Sequence, residues 1–184
     1  MLVAGNQYYN LSNEIYKLYP EATFCSRSSG YNFLKKDDKE RFAQESLNYD
    51  HILIISALED FHQIVLYDTV YKCCVENKHQ THIITVGSTI DRLGTGNGRI
   101  YSTEKKALLE HTKNLNLQSY GNRGPKTTHI SFGMLSNLQH KFPDRKTIAV
   151  SEAAKYIKWL IEQPKHVNIN EISIDPMQDK FWHE

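Results

Sequence analysis

An α/β fold on a mainly parallel sheet of about six strands follows from three features of the sequence. Short apolar runs alternate with longer segments whose apolar residues recur at helical spacing. Most of these short runs are near-continuous rather than alternating, as in strands buried on both faces. The length of 184 residues suits one domain, residues 1–184, with enough chain to bury a real core.

Leu2 to Gly5 is the first buried-strand candidate, and Leu11, Ile15 and Leu18 then repeat with the period of a helix. Ala22 to Cys25 gives a second strand, followed by a polar, weakly helical stretch from Lys35 to Asn48. His51 to Ile55 is a strong strand run. Phe61 to Val75 reads as a helix that can bury Ile64, Val65, Tyr67 and Val70. His82 to Val86 is the next strand, and the glycine-rich stretch Gly94 to Gly98 leads into a helix from about Ile100 to Leu117. Thr128 to Phe132 is a further strand. Ser151 is placed to cap a helix whose face carries Ala153, Ala154, Ile157, Leu160 and Ile161. Val167 to Ile174 alternates and closes the series as the last strand.

Composition excludes several function classes. The net charge is +1, from 22 basic and 21 acidic residues, with no basic stripe or acidic tail to suggest nucleic acid or a membrane surface. No apolar run approaches the roughly 18 residues of a membrane span. Met1 to Gly5 reads as a strand and lacks the features of a secretion signal. Cys25, Cys73 and Cys74 are odd in number, and two are adjacent, which argues for free thiols in a reducing cytoplasm. The nine histidines are scattered without an H-x-x-x-H pair, so no metal site is expected. Gly94 to Gly98 lacks the lysine and hydroxyl residue of a phosphate-binding P-loop and reads as an active-site wall. Phe181 and Trp182 read as a packing or subunit contact.

The chemistry concentrates at Tyr101-Ser-Thr-Glu-Lys105, with Ser88 thirteen residues before the tyrosine at a strand end. Tyrosine and lysine at i and i+4 share a helix face. A lysine near a phenol favours the phenolate and is expected to lower the tyrosine pKa. A serine at the neighbouring strand end can hold a carbonyl oxygen against that phenol. Together they would protonate a ketone during reduction or deprotonate an alcohol during oxidation.

These residues and their surroundings resemble the short-chain dehydrogenases/reductases. The segments that carry the resemblance are Ile83 to Ser88, Tyr101 to Leu108, Ile130 to Leu135 and Glu171 to Pro176, in the family's order and spacing. The resemblance implies a doubly wound, Rossmann-like sheet that binds a dinucleotide at the carboxyl ends of its strands. It implies Ser88, Tyr101 and Lys105 as catalytic residues, with Lys105 also holding the nicotinamide ribose. It also implies a small carbonyl or alcohol substrate and a homodimer or homotetramer. Pairing would involve the tyrosine helix and a shortened neighbour near Ser136 to Lys146.

Departures from the family pattern are informative. The T-G-x-x-x-G-x-G turn corresponds to Ala4-Gly5-Asn6-Gln7-Tyr8-Tyr9-Asn10-Leu11-Ser12 with one inserted residue, so Asn10 and Ser12 replace two glycines. Gly5, Asn10, Leu11 and Ser12 would form the phosphate turn. Asparagine tolerates left-handed backbone and serine is small. Ser26, Arg27 and Ser28 end the second strand without an acid. A guanidinium between hydroxyls suits a 2′-phosphate, so NADP(H) is preferred over NAD(H). The helix and strand that usually follow this strand are absent, and Asn32 takes the place of the adenine-contacting aspartate. The N-N-A-G segment becomes Ile55-Ser56-Ala57-Leu58, with Ala57 near the cofactor and Leu58 where a glycine gives the ribose room. Gly133 keeps its family glycine, and Asn137 stands for the threonine beyond it. The helix asparagine of the catalytic tetrad has no match; His62 and Gln63 lie near its place, and neither is assigned. Three readings stay open: an oxidoreductase, a non-catalytic dinucleotide-binding or scaffold protein of the same fold, or a nonredox relative such as an epimerase or dehydratase that retains its bound cofactor.

Overall fold

The computed structural model describes residues 1–56, 60–92, 100–119 and 124–177. Among the described residues, six strands alternate with five α-helices: β1 (Leu2–Ala4), α1 (Asn10–Leu18), β2 (Thr23–Cys25), α2 (Lys36–Ser46), β3 (His51–Ile54), α3 (His62–Glu76), β4 (His82–Ser88), α4 (Ile100–Ser119), β5 (Lys126–Phe132), α5 (Val150–Ile161) and β6 (Glu171–Ile174). Every strand pair is parallel, in the order β2-β1-β3-β4-β5-β6. The chain leaves β1 towards β2 and returns to β3 on the other side. This reversal opens a crevice at the carboxyl ends of β1 and β3.

Alternate residues of each strand feed two cores. Leu2, Ala4, Ile52, Ile54 and Ile83 pack with Phe42, Leu66, Tyr67, Val70 and Leu108 from α2, α3 and α4. Val3, Leu53, Ile84, Val86 and Ile130 pack with Leu11 and Ile15 of α1 and with Ala153, Ala154, Ile157 and Leu160 of α5. The two-sided burial expected from the continuous apolar runs is present. Cys25, Cys73 and Cys74 are buried free thiols.

Two local expectations are corrected. Residue 149, not Ser151, caps α5: the Glu152 carboxylate accepts the Ala149 N–H at 3.3 Å, so the capping group lies inside the first turn. The last strand pairs only over Glu171–Ile174. Before it the chain still runs beside β5, where Asn170 O accepts the His129 N–H at 3.0 Å. Among the described residues, no helix is long and apolar enough to cross a membrane.

Candidate active site

Ser88 is the last residue of β4 and Tyr101 the second of α4, so strand and helix deliver both hydroxyls to the carboxyl edge of the sheet. The Ser88 hydroxyl lies near enough to the phenol to favour its ionised form. Tyr101 is 42% exposed overall, yet burial around its hydroxyl pushes the phenol above its ordinary value. Ser88 opposes this shift, while Asp91 and Glu104 add to it. The expected lowering by Lys105 is therefore corrected. The Lys105 ammonium lies 5.5 Å from the Tyr101 ring centroid and bonds elsewhere. Desolvation wins over an attraction that is not aimed at the phenol oxygen.

Lys105 is only 4% exposed, and burial brings its pKa down to about 8 against the pull of Glu104 and Asp91. Its Nζ donates to Gln63 Oε1 at 2.6 Å. The Gln63 amide in turn donates to Val86 O at 3.0 Å, on the strand that leads to Ser88. Gln63 thus links β4 to Lys105 from the first turn of α3. His62 turns away and meets Lys39 Nζ at 3.0 Å. Glu104 sets the start of α3 by accepting the Phe61 N–H at 2.9 Å. Asp60 and Phe61, beside this contact, adopt left-handed backbone with φ of 56° and 60°. Helix phase hid Gln63 in the sequence, since one residue either way changes which side chain faces β4.

A second buried cluster underlies the site. Asp91 Oδ2 accepts from Ser131 Oγ and lies 3.2 Å from His129 Nε2, while His129 Nδ1 meets Thr85 Oγ1 at 2.9 Å. The Asp91 and His129 side chains are both at 0% exposure. Gly87 makes room for them: a Cβ there would overlap His129 Nε2 and sit 2.5 Å from Cε1. Arg92 then ties this loop to Asp175 beyond β6.

The residues expected to hold a cofactor line the same edge. Gly5 follows β1, and Ser12 Oγ lies 2.5 Å from where a Gly5 Cβ would stand, so glycine permits helix and strand to meet closely. Asn10 adopts φ 44°, the left-handed backbone foreseen for it. The preceding residue, Tyr9, gives α1 no side-chain cap, which leaves first-turn N–H groups for an anion. Leu11 is a core residue of α1 and could offer a ligand only its backbone. Ser26, Arg27 and Ser28 lie on a 3-10 turn at the end of β2, where Ser26 Oγ and Ser28 Oγ are 2.8 Å apart and Arg27 is exposed. Arg41 also reaches this corner, 3.9 Å above the Tyr31 ring. Asn32 uses its side-chain oxygen on Leu34 N at 3.2 Å. Gly133 fits tightly under Asp175 and Pro176, where a Cβ would come within 2.5 Å of Asp175 Oδ1. Asn137 Oδ1 is buried without a hydrogen-bond partner. Ala57, Leu58, Gly94 to Gly98, Phe181 and Trp182 lie outside the described residues.

No family model matches the chain. Among curated proteins, an uncharacterized oxidoreductase of Staphylococcus aureus strain USA300 is 32% identical over 99 residues, covering 52% of this chain and 42% of that protein. Another from Staphylococcus epidermidis is 30% identical over 99 residues, covering 52% of this chain and 43% of its own length. The chain thus spans under half the length of the curated relatives it matches. Among solved structures, a short chain dehydrogenase from Burkholderia cenocepacia in complex with NADP superposes with a TM-score of 0.72 at 14% identity, over 94% of this chain and 86% of that one. A Brucella melitensis short-chain dehydrogenase/reductase gives 0.71 at 16% identity, over 95% and 94%. The closed form of serine dehydrogenase complexed with NADP+ gives 0.70 at 13% identity, over 94% and 93%. The chain has the short-chain dehydrogenase/reductase fold, in a compact form.

Proposed function

We propose that this chain is an NADP(H)-dependent oxidoreductase that transfers a hydride between nicotinamide and a small carbonyl or alcohol. The observation that carries the reading is Ser88 beside Tyr101 at the carboxyl edge of the sheet, with Lys105 buried on the same helix as the tyrosine. Gly5, Asn10 and Ser12 would hold the pyrophosphate against the start of α1, and Arg27 with Ser26 and Ser28 would hold the 2′-phosphate. The bound nicotinamide supplies or takes the hydride. Ser88 orients the substrate oxygen. Tyr101 donates its phenolic proton to that oxygen during reduction and takes it back during oxidation. A raised phenol pKa keeps Tyr101 protonated near neutral pH, the form that serves as the acid in carbonyl reduction. Lys105 would hold the nicotinamide ribose, positioned by Gln63. Buried free thiols suit a reducing cytoplasm, and a homodimer or homotetramer is expected.

The raised phenol also favours a second reading, a dinucleotide-binding or scaffold protein of this fold that does not turn over. Tyr101→Phe separates the two. General acid–base help is worth roughly 10²–10⁴-fold, so the variant should retain nicotinamide binding and lose turnover by about that factor. Equal turnover in variant and parent would remove Tyr101 from the chemistry. Binding without turnover in the parent, across a broad carbonyl panel, favours the second reading.

A further inference from the structure

The opposite edge of the sheet carries a second polar site. His51, His82 and Lys126 are the first residues of β3, β4 and β5, and they stand in register across adjacent strands. Parallel in-register residues point to one face. Here it is the α5 face, because Leu53, Ile84 and Ile130, two or four residues further on, pack in that core. The end of α5 and the turn after it complete a cavity of about 450 Å³, lined also by Asp50, Gln163 and Lys165. Gly5, Asn10 and Tyr101 lie at the other ends of the strands, so this cavity is separate from the candidate active site.

Its lining has donors and cations in excess. Lys126 and Lys165 face Asp50 as the one acid of the lining, and neither lysine forms an ion pair among the described residues. Burial lowers the Lys126 pKa, a cost that an anion would relieve. His51 Nδ1 is buried without a hydrogen-bond partner. His82 is neutral, since burial brings its pKa down to about 3. Its tautomer follows from its neighbour. Thr128 Oγ1 donates its only proton to Ile169 O at 2.7 Å, so it must accept from His82 Nε2–H, also at 2.7 Å. His82 Nδ1 therefore keeps a lone pair and accepts a proton from a ligand hydroxyl. Two ammonium groups beside such an acceptor match a hydrogen phosphate group, which carries both O⁻ and O–H. The volume leaves room for a small organic part as well.

We propose that this cavity binds a small phosphate-bearing molecule, held by Lys126 and Lys165 and oriented by His51 and His82. The test uses inorganic phosphate, glycerol phosphate and sulfate as probes on the full chain. Histidine ring C–H resonances, assigned with His51→Gln and His82→Gln, are followed by NMR. The expected result is saturable movement of the His51 and His82 signals with either phosphate. Binding should weaken at least tenfold in Lys126→Gln/Lys165→Gln, with an unchanged far-UV spectrum. Sulfate, which has no proton for His82, should bind more weakly than phosphate. Lys165→Gln alone, at an exposed turn position, should already weaken binding about threefold if the double variant does not fold. Signals that do not saturate, or equal binding by the lysine variants, would overturn the site. Equal binding of sulfate would overturn the phosphate assignment.

Discussion

Gln63→Leu isolates the side chain that links β4 to Lys105. Gln63 is 4% exposed and makes two bonds that leucine cannot: it accepts from the Lys105 ammonium at 2.6 Å and donates to Val86 O at 3.0 Å. A hydrogen bond to a charged group contributes about 1.5–3 kcal/mol and a neutral one about 1 kcal/mol. The variant should therefore be about 2.5–4 kcal/mol less stable to urea. The charged-group share bears on the protonated form of Lys105 alone. At about 1.4 kcal/mol per pH unit, the Lys105 titration should fall from about 8 by a further one to two pH units. Lysine-selective ¹³C NMR follows that titration directly. If proposed turnover requires the Lys105 cation, the alkaline limb of the rate profile should move down with it. Stability within about 0.5 kcal/mol of the parent, with an unmoved Lys105 titration, would refute the linkage.

Other outcomes follow from the same geometry. Gly87→Ala forces a methyl into His129, which Thr85 and Asp91 hold fixed, and should cost about 1–3 kcal/mol in urea unfolding. Ser88 ends the same strand, so proposed turnover should fall as well. Lys105 sheds its proton near pH 8 when folded and near 10.5 when unfolded, so between these values the unfolded chain binds more protons. The Lys105 contribution to stability thus rises as pH increases through that window. The parent should gain on Lys105→Met between pH 8 and 10, by up to about 3 kcal/mol before solvent relaxation reduces it. An equal pH dependence in the two proteins would contradict a buried Lys105.

Much of the fold is legible in the sequence because strands buried on both faces are written as continuous apolar runs. Leu2 to Ala4, His51 to Ile54 and His82 to Val86 are such runs, and each is a central strand. The last strand was harder to bound. Alternation over Val167 to Ile174 persists where the chain is extended, but only Glu171–Ile174 pairs. Ser151 looked like a cap, yet Glu152 reaches back to the Ala149 N–H, and propensity alone does not choose between neighbouring hydroxyl and carboxylate groups. Tyr101 and Lys105 were legible from helical spacing. The sign of the phenol shift was not, because it depends on how much water reaches the hydroxyl. Gln63, Glu104 and the Asp91–His129 pair act through contacts 38–43 residues apart in sequence, beyond any local pattern. Gly87 carried the one available signal, as a glycine inside an apolar strand run often marks close approach of another group.

Titration of the purified chain with NADPH and with NADH, read by nicotinamide fluorescence, tests the central claim most directly. The account predicts saturable binding of both, tighter for NADPH, with that preference lost in Arg27→Ser. Such a result would place the 2′-phosphate at Arg27 and the pyrophosphate at the Asn10–Ser12 turn. Failure of both nucleotides to bind would contradict an oxidoreductase and leave Ser88, Tyr101 and Lys105 as the remnant of one.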